Sequence, residues 1–159
     1  MLKEIILYYS RSGNTEKLAF RIRDSLQCQA LKIEPEDAYG NYISSCLRVM
    51  KERAKKVPPK FVTPIPDLSS FHIILLGYPV WAQDVPVFVS DFISQCDLKG
   101  KLIIPFATFG GTGISWTMKT LRQICPESEI KLPFNYGLIK KDDFNQWIKS
   151  VNDSTLAND

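Results

Sequence analysis

Residues 73–77 (IILLG) and 102–106 (LIIPF) are apolar at successive positions rather than at alternate ones. A strand with one wet face alternates, so an unbroken apolar run is covered on both faces, as a parallel strand between two layers of helix is. Both runs fall far short of the roughly 18 apolar residues that a bilayer span needs. Parallel neighbours cannot be joined by a tight turn and require a crossover, usually a helix. The intervening sequence supplies such helices: Leu18, Ala19, Ile22 and Leu26 recur at helical spacing, as do Ile43, Leu47, Met50 and Ala54, and then Phe88, Val89, Phe92 and Ile93. Ile114, Met118, Leu121 and Cys125 form a fourth set, and Phe144, Trp147, Ile148 and Val151 a fifth.

Strand-like runs at residues 5–9, 29–34, 72–77, 102–108 and within 130–139 precede these five helices in turn. Five rounds of strand and helix with right-handed crossovers make an open parallel sheet with helices on both faces, a three-layer α/β fold. Each helix is expected to bury its apolar stripe, the first to be capped by Asn14 or Thr15, and Pro105 either argues against the fourth strand or marks a bulge in it. His72 is read as structural. The 159 residues suit one domain over 1–152, with 153–159 a short frayed tail.

Composition removes several classes of function. A net charge of +3 is too small to imply nucleic acid binding. No signal-like segment opens the chain, so a cytoplasmic location is expected and no membrane association. Cys28, Cys46, Cys96 and Cys125 form no CxxC pair and have one histidine between them, which argues for reduced thiols and against a metal centre.

Ligands of open parallel sheets bind at the carboxyl ends of the strands, so the loops after the first, third and fourth strands matter most. Ser10, Arg11, Ser12, Gly13, Asn14 and Thr15 place hydroxyls, an amide and a glycine at a helix start, where free backbone amides and the helix dipole attract an anion such as phosphate. The loop lacks the lysine of a Walker A motif and is not GxGxxG; a plain helix cap with a glycine turn would also account for it. Tyr78, Pro79, Val80, Trp81, Ala82, Gln83 and Asp84 bring aromatic surface to the second loop, either to stack on a flat ring or to cover the edge of the core. Asp84 could meet such a ring or cap a helix. Thr108, Phe109, Gly110, Gly111, Thr112 and Gly113 form the third, where glycines let backbone amides approach a ligand or simply make a turn.

With Tyr9 to Thr15, Gly77 to Trp81 and Pro105 to Gly113 in this order, the chain resembles the flavodoxins, over nearly its whole length. The resemblance implies a five-stranded parallel sheet of order 2-1-3-4-5 that binds FMN without a covalent bond. It assigns the FMN phosphate to Ser10, Arg11 (by its amide), Ser12, Gly13, Asn14 and Thr15. The flavin ring would lie between Pro79, Val80 and Trp81 on one side and Thr108, Phe109, Gly110, Gly111 and Gly113 on the other. Relatives often carry a second tryptophan where this chain has Ala82 and a small residue where it has Phe109.

The function implied is electron transfer between redox partners, with no catalytic residue in the protein itself. The alternative is an FMN-dependent NAD(P)H quinone, or related, oxidoreductase; a flavin-free interaction domain is a third reading. Apolar walls and a nearby phosphate disfavour extra negative charge on the ring and so imply a low potential. The run Arg48, Lys51, Arg53, Lys55, Lys56 and Lys60 is either a solvated helix face or a docking patch for an acidic redox partner or a pyridine nucleotide phosphate.

Overall fold

The structure is a computed structural model and describes residues 2–109, 113–137 and 143–156. Its elements are β1 (Glu4–Tyr8), α1 (Asn14–Leu26), β2 (Gln29–Lys32), α2 (Tyr42–Lys55), β3 (Ile73–Pro79), α3 (Val87–Ser94) and β4 (Leu102–Phe109). A short 3-10 turn (Ile114–Thr117) leads into α4 (Met118–Ile124), followed by β5 (Glu129–Ile130), β6 (Phe134–Gly137) and α5 (Phe144–Leu156). All strand pairs of the sheet are parallel, in the order β2-β1-β3-β4-β5, with β6 continuing beside β4. This is the order 2-1-3-4-5 that the resemblance implies, with the last position shared by two short strands. Among the described residues no helix is long and apolar enough to cross a membrane.

Side chains of a strand alternate between the two faces of the sheet, and the core divides accordingly. Ile5 and Leu7 of β1 join Ile74, Leu76 and Ile103 beneath α2, α3 and α4. Ile6 and Tyr8 join Ile73, Leu75, Ile104 and Phe106 beneath α1 and α5, which contribute Leu18, Ile22, Trp147 and Val151. The apolar runs of β3 and β4 are thus divided between two cores, which is why they do not alternate. Gly77 lets the sheet close over Phe106, because a Cβ there would lie 2.2 Å from that ring.

Four expectations are corrected. Gly13, at φ 90°, is the N-cap of α1 and no side chain caps the helix; Asn14 and Thr15 lie in its first turn. Pro105 makes no bulge, since the β3–β4 register runs unbroken through Leu76 and Pro105. Its missing N–H points to the side of β4 on which the Ile103 and Lys101 carbonyls accept from Lys131 and Glu129. There the neighbouring strand is interrupted at residues 131–133, with Leu132 at φ 52°, so no ladder bond is lost at the proline. The same interruption splits the single last strand into β5 and β6.

Residues 153–156, expected in a frayed tail, are helical. Helix α5 runs to Leu156, Thr155 is buried, and the Leu2 N–H reaches the Thr155 carbonyl at 3.4 Å. The fourth correction concerns α2. Its buried residues are Ser45 and Val49, while Ile43, Leu47 and Met50 of the presumed core stripe are 71%, 55% and 57% exposed. Ser45 is accommodated because its hydroxyl donates to the Asn41 carbonyl at 2.7 Å, so burial leaves it paired. On its inner side the helix packs Val49 into the core, with Cys46 against it, and adds polar contacts from Arg48 and Arg53 to neighbouring carbonyls.

Candidate functional site

The loop after β1 turns on Gly13, whose left-handed conformation costs a residue without a side chain little. The Ser10 hydroxyl accepts from the Gly13 N–H at 3.1 Å, leaving its own hydrogen for another acceptor. Helix α1 makes its first backbone bond from Lys17 N–H to the Gly13 carbonyl. Among the described residues the amides of Asn14 and Thr15 meet no acceptor, as expected in a first helical turn. The Thr15 and Thr108 hydroxyls lie 2.7 Å apart and buried, joining this loop to the end of β4. Whichever donates, the other retains a hydrogen for a ligand.

The acidic residue of this first turn is drawn away. Glu16 accepts from the Tyr8 hydroxyl at 2.9 Å and pairs with Lys32 at 3.2 Å, contacts that hold its carboxyl below the usual range. The Arg11 guanidinium extends sideways to the Gly40 carbonyl at 3.1 Å.

After β3 the chain makes a two-residue hairpin turn. Trp81 and Asp84 exchange backbone hydrogen bonds of 3.0 and 3.1 Å, with Ala82 and Gln83 at φ 47° and 64° between them. Both residues carry a Cβ in the left-handed region, which glycine or asparagine would occupy more cheaply. Three contacts hold the turn. The Val80 N–H donates to the Thr108 carbonyl at 3.0 Å. The Asp84 carboxylate accepts from the Val85 N–H at 2.8 Å and from the Thr120 hydroxyl at 2.7 Å; it holds the turn, and neither lines the cavity nor caps α3, the two roles the sequence offered. From α2, the Arg53 guanidinium donates to the Ala82 and Trp81 carbonyls at 3.0 and 3.2 Å. Arg53 is half-buried and belongs to this turn, and Arg48 turns to Glu52 at 2.7 Å, so the basic run is not one solvated face.

The loops meet around a cavity of about 550 Å³, within the usual range for a small-molecule site. Ser10, Arg11, Ser12, Asn14, Thr15, Pro79, Val80, Trp81, Thr108 and Phe109 line it, ten of the residues singled out from the sequence. Gly13 turns the loop without lining the cavity. Gly113 is not among the described lining residues and stands at the start of the 3-10 turn beside Asn135. Gly110 and Gly111, with Thr112, lie outside the described residues. Trp81 borders the cavity yet is only 2% exposed, its indole packed on Tyr39 at 4.9 Å and against Tyr9 at 5.5 Å. The Phe109 ring lies over Gly137, where a Cβ would be 2.7 Å from it.

Lys17, Leu18, Arg21, Tyr42, Tyr136 and Gly137 also line the cavity and were missed. Lys17 and Arg21 repeat along α1 from the phosphate-type loop, a signal visible in the sequence. Tyr42, Tyr136 and Gly137 reach the site only through the packing of α2 and β6. No described lining residue is Asp or Glu, whereas Arg11, Lys17 and Arg21 are cationic. The donors and cations at the α1 end, with apolar and aromatic walls from the loop after β3 and the end of β4, suit a ligand with an anionic group and a flat ring. Among the described residues no group of three His, Cys, Asp or Glu could hold a metal ion.

The family model described as Flavodoxin matches residues 3–151. The chain is 30% identical over 120 residues to "Probable flavodoxin 1" of Bacillus subtilis (strain 168), covering 73% of this chain and 60% of that relative's length. A solved chain from Bacteroides eggerthii DSM 20697 superposes with a TM-score of 0.76 at 24% identity, covering 98% of this chain and 99% of that one. A flavoprotein in complex with FMN from Lactobacillus acidophilus NCFM does so with a TM-score of 0.72 at 20% identity, covering 92% and 99%. With its sheet order, its loops and this match over almost the whole sequence, the chain belongs to the flavodoxin family.

Proposed function

We propose that this chain binds FMN non-covalently and carries electrons between redox partner proteins in the cytoplasm. The observation that carries the reading is the polarity of the cavity described above: hydroxyls, unengaged amides and cations at the start of α1, aromatic and apolar surface at the ends of β3 and β4. A flavoprotein of the same fold, from Lactobacillus acidophilus NCFM, holds FMN.

Ser10, Ser12, Asn14 and Thr15 would hold the phosphate through hydroxyls and main-chain N–H groups, with the Gly13 turn aiming them. Lys17 and Arg21 add positive potential from the next two turns of α1. Pro79, Val80, Trp81, Thr108 and Phe109 would wall the ring and exclude water. Bound FMN supplies the capacity to take up and release electrons; the protein supplies binding, orientation and the surrounding potential. Arg53 and Asp84 keep the Trp81 turn in place, so they position the wall without being part of it.

The test is reconstitution. Purified protein freed of cofactor is titrated with FMN while flavin fluorescence is followed. Quenching that saturates at one FMN per chain supports the reading, and a folded protein that leaves FMN fluorescence unchanged at micromolar concentration overturns it. NADH or NADPH oxidation with a quinone acceptor is then measured. Slow turnover agrees with a carrier; rapid turnover would move the chain to the reductase class.

A further inference from the structure

Helix α2 displays an apolar stripe to solvent. Ile43, Leu47 and Met50 are 71%, 55% and 57% exposed, and Ala54 continues the line. Spaced by four, three and four residues, they lie along one side of the helix, opposite buried Ser45 and Val49. That spacing is the seam by which two helices pair. Lys51 and Lys55 stand exposed along one flank, and neither has an ion-pair partner among the described residues. The helix has one acidic residue, Glu52, and it faces inward, accepting from Arg48 at 2.7 Å and from the Tyr39 hydroxyl at 2.9 Å. The outward face is therefore apolar along its middle and positive at its side, with no negative charge of its own.

We propose that this stripe is a docking surface for an amphipathic helix of a partner protein, apolar along its seam and acidic on its flanks. Charge decides against a second copy of the chain. Two α2 helices paired antiparallel would set one lysine flank against the other, and paired parallel would set Lys51 against the flank of Arg53, so cations face cations across the seam either way, at a cost in stability. Size decides against a permanent complex. The stripe runs about 17 Å along the helix axis at 1.5 Å per residue, too short to bury the roughly 800 Å² per partner of a standard stable interface. A transient encounter is what such a surface supports. The partner would sit next to the cavity, because Tyr42 at the start of α2 lines it and Arg53 near the end holds the Trp81 turn. The inference stands on α2 itself and does not depend on what fills the cavity.

The test uses the whole chain and two labelled synthetic helical peptides with the same leucine seam, one flanked by glutamates and one by lysines. Fluorescence anisotropy is expected to show saturable micromolar binding of the glutamate peptide and none of the lysine peptide. Leu47→Ser should weaken binding about tenfold, the consequence of no longer burying a leucine side chain. Lys51→Glu with Lys55→Glu should weaken it several-fold at low ionic strength and less at about 0.5 M salt. All three substitutions lie on the exposed face, and unchanged circular dichroism would confirm that the variants fold. No binding of either peptide, or equal binding of both, overturns the proposal. So does sedimentation of the chain as a dimer that Leu47→Ser returns to monomer, which would assign the face to self-association.

Discussion

Replacing Arg53 with methionine removes the guanidinium that bridges α2 to the Trp81 turn while keeping much of the apolar stem. Two hydrogen bonds from a charged donor are lost, to the Ala82 carbonyl at 3.0 Å and the Trp81 carbonyl at 3.2 Å. Bonds to charged groups contribute about 1.5–3 kcal/mol each when well shielded, and the half-exposed position reduces this, so the pair should contribute about 2–3 kcal/mol. For a domain of this size that corresponds to a fall in Tm of about 6–9 °C. The turn held by these bonds contains two non-glycine residues in the left-handed region, each costing about 1–2 kcal/mol. Ala82→Gly should therefore raise Tm in the native background and restore part of the loss in Arg53→Met. Arg53→Lys, able to reach one carbonyl at a time, should fall between. Thermal unfolding of the cofactor-free protein measures stability; FMN titration and the midpoint potential of bound FMN report the position of the turn. A Tm for Arg53→Met within about 1 °C of the native value would refute the clamp. A large fall in Tm with unchanged FMN affinity and potential would refute its link to the cavity.

Gly13→Ala meets no atom within 4 Å, so its cost is the φ of 90° alone, about 1–2 kcal/mol; it should weaken FMN binding, and Gly13→Asn, which tolerates this conformation better, should weaken it less. Lys17→Gln should reduce FMN affinity several-fold at low ionic strength and shift the midpoint potential downward, both effects shrinking in high salt, as titration and potentiometry at two salt concentrations would show. Burial pushes the Cys28, Cys96 and Cys125 thiols up to about 11, 12 and 11, and it raises the Tyr8, Tyr9 and Tyr78 phenols. The unfolded chain ionises these groups at lower pH than the folded one, so stability should decline as pH rises from about 9. Urea unfolding at pH 8 and pH 10.5 tests the sign, which an increase in stability would contradict.

Much of the fold was legible because strand burial is a local property. The apolar runs of β3 and β4 needed no knowledge of their neighbours, and the residue types after β1 marked a loop at a helix start with hydroxyls that now line the cavity. The structure joins that loop to the ring-side walls through the Thr15 and Thr108 hydroxyls, a contact between residues far apart in sequence. Helix α2 was misread because periodicity shows that a stripe exists but not which way it faces. Ile43, Leu47 and Met50 have the pattern of a core face, yet Val49 packs into the core and Arg48 and Arg53 reach the Asp37, Ala38, Trp81 and Ala82 carbonyls, which turns the other side inward. Arg53 read as one member of a charge run because its acceptors, two turn carbonyls, carry no mark in the sequence.

What the sequence determines by itself is the alternation of buried strands and crossover helices, and the chemistry of the loops at their ends, because both depend on side chains within a few residues of one another. Tertiary structure decides the direction of α2, the break in the last strand that accommodates Pro105, and the inclusion of Lys17, Arg21, Tyr42 and Tyr136 in the cavity. Each of these depends on distances between segments remote in sequence, and the packing of the two cores against the sheet sets those distances.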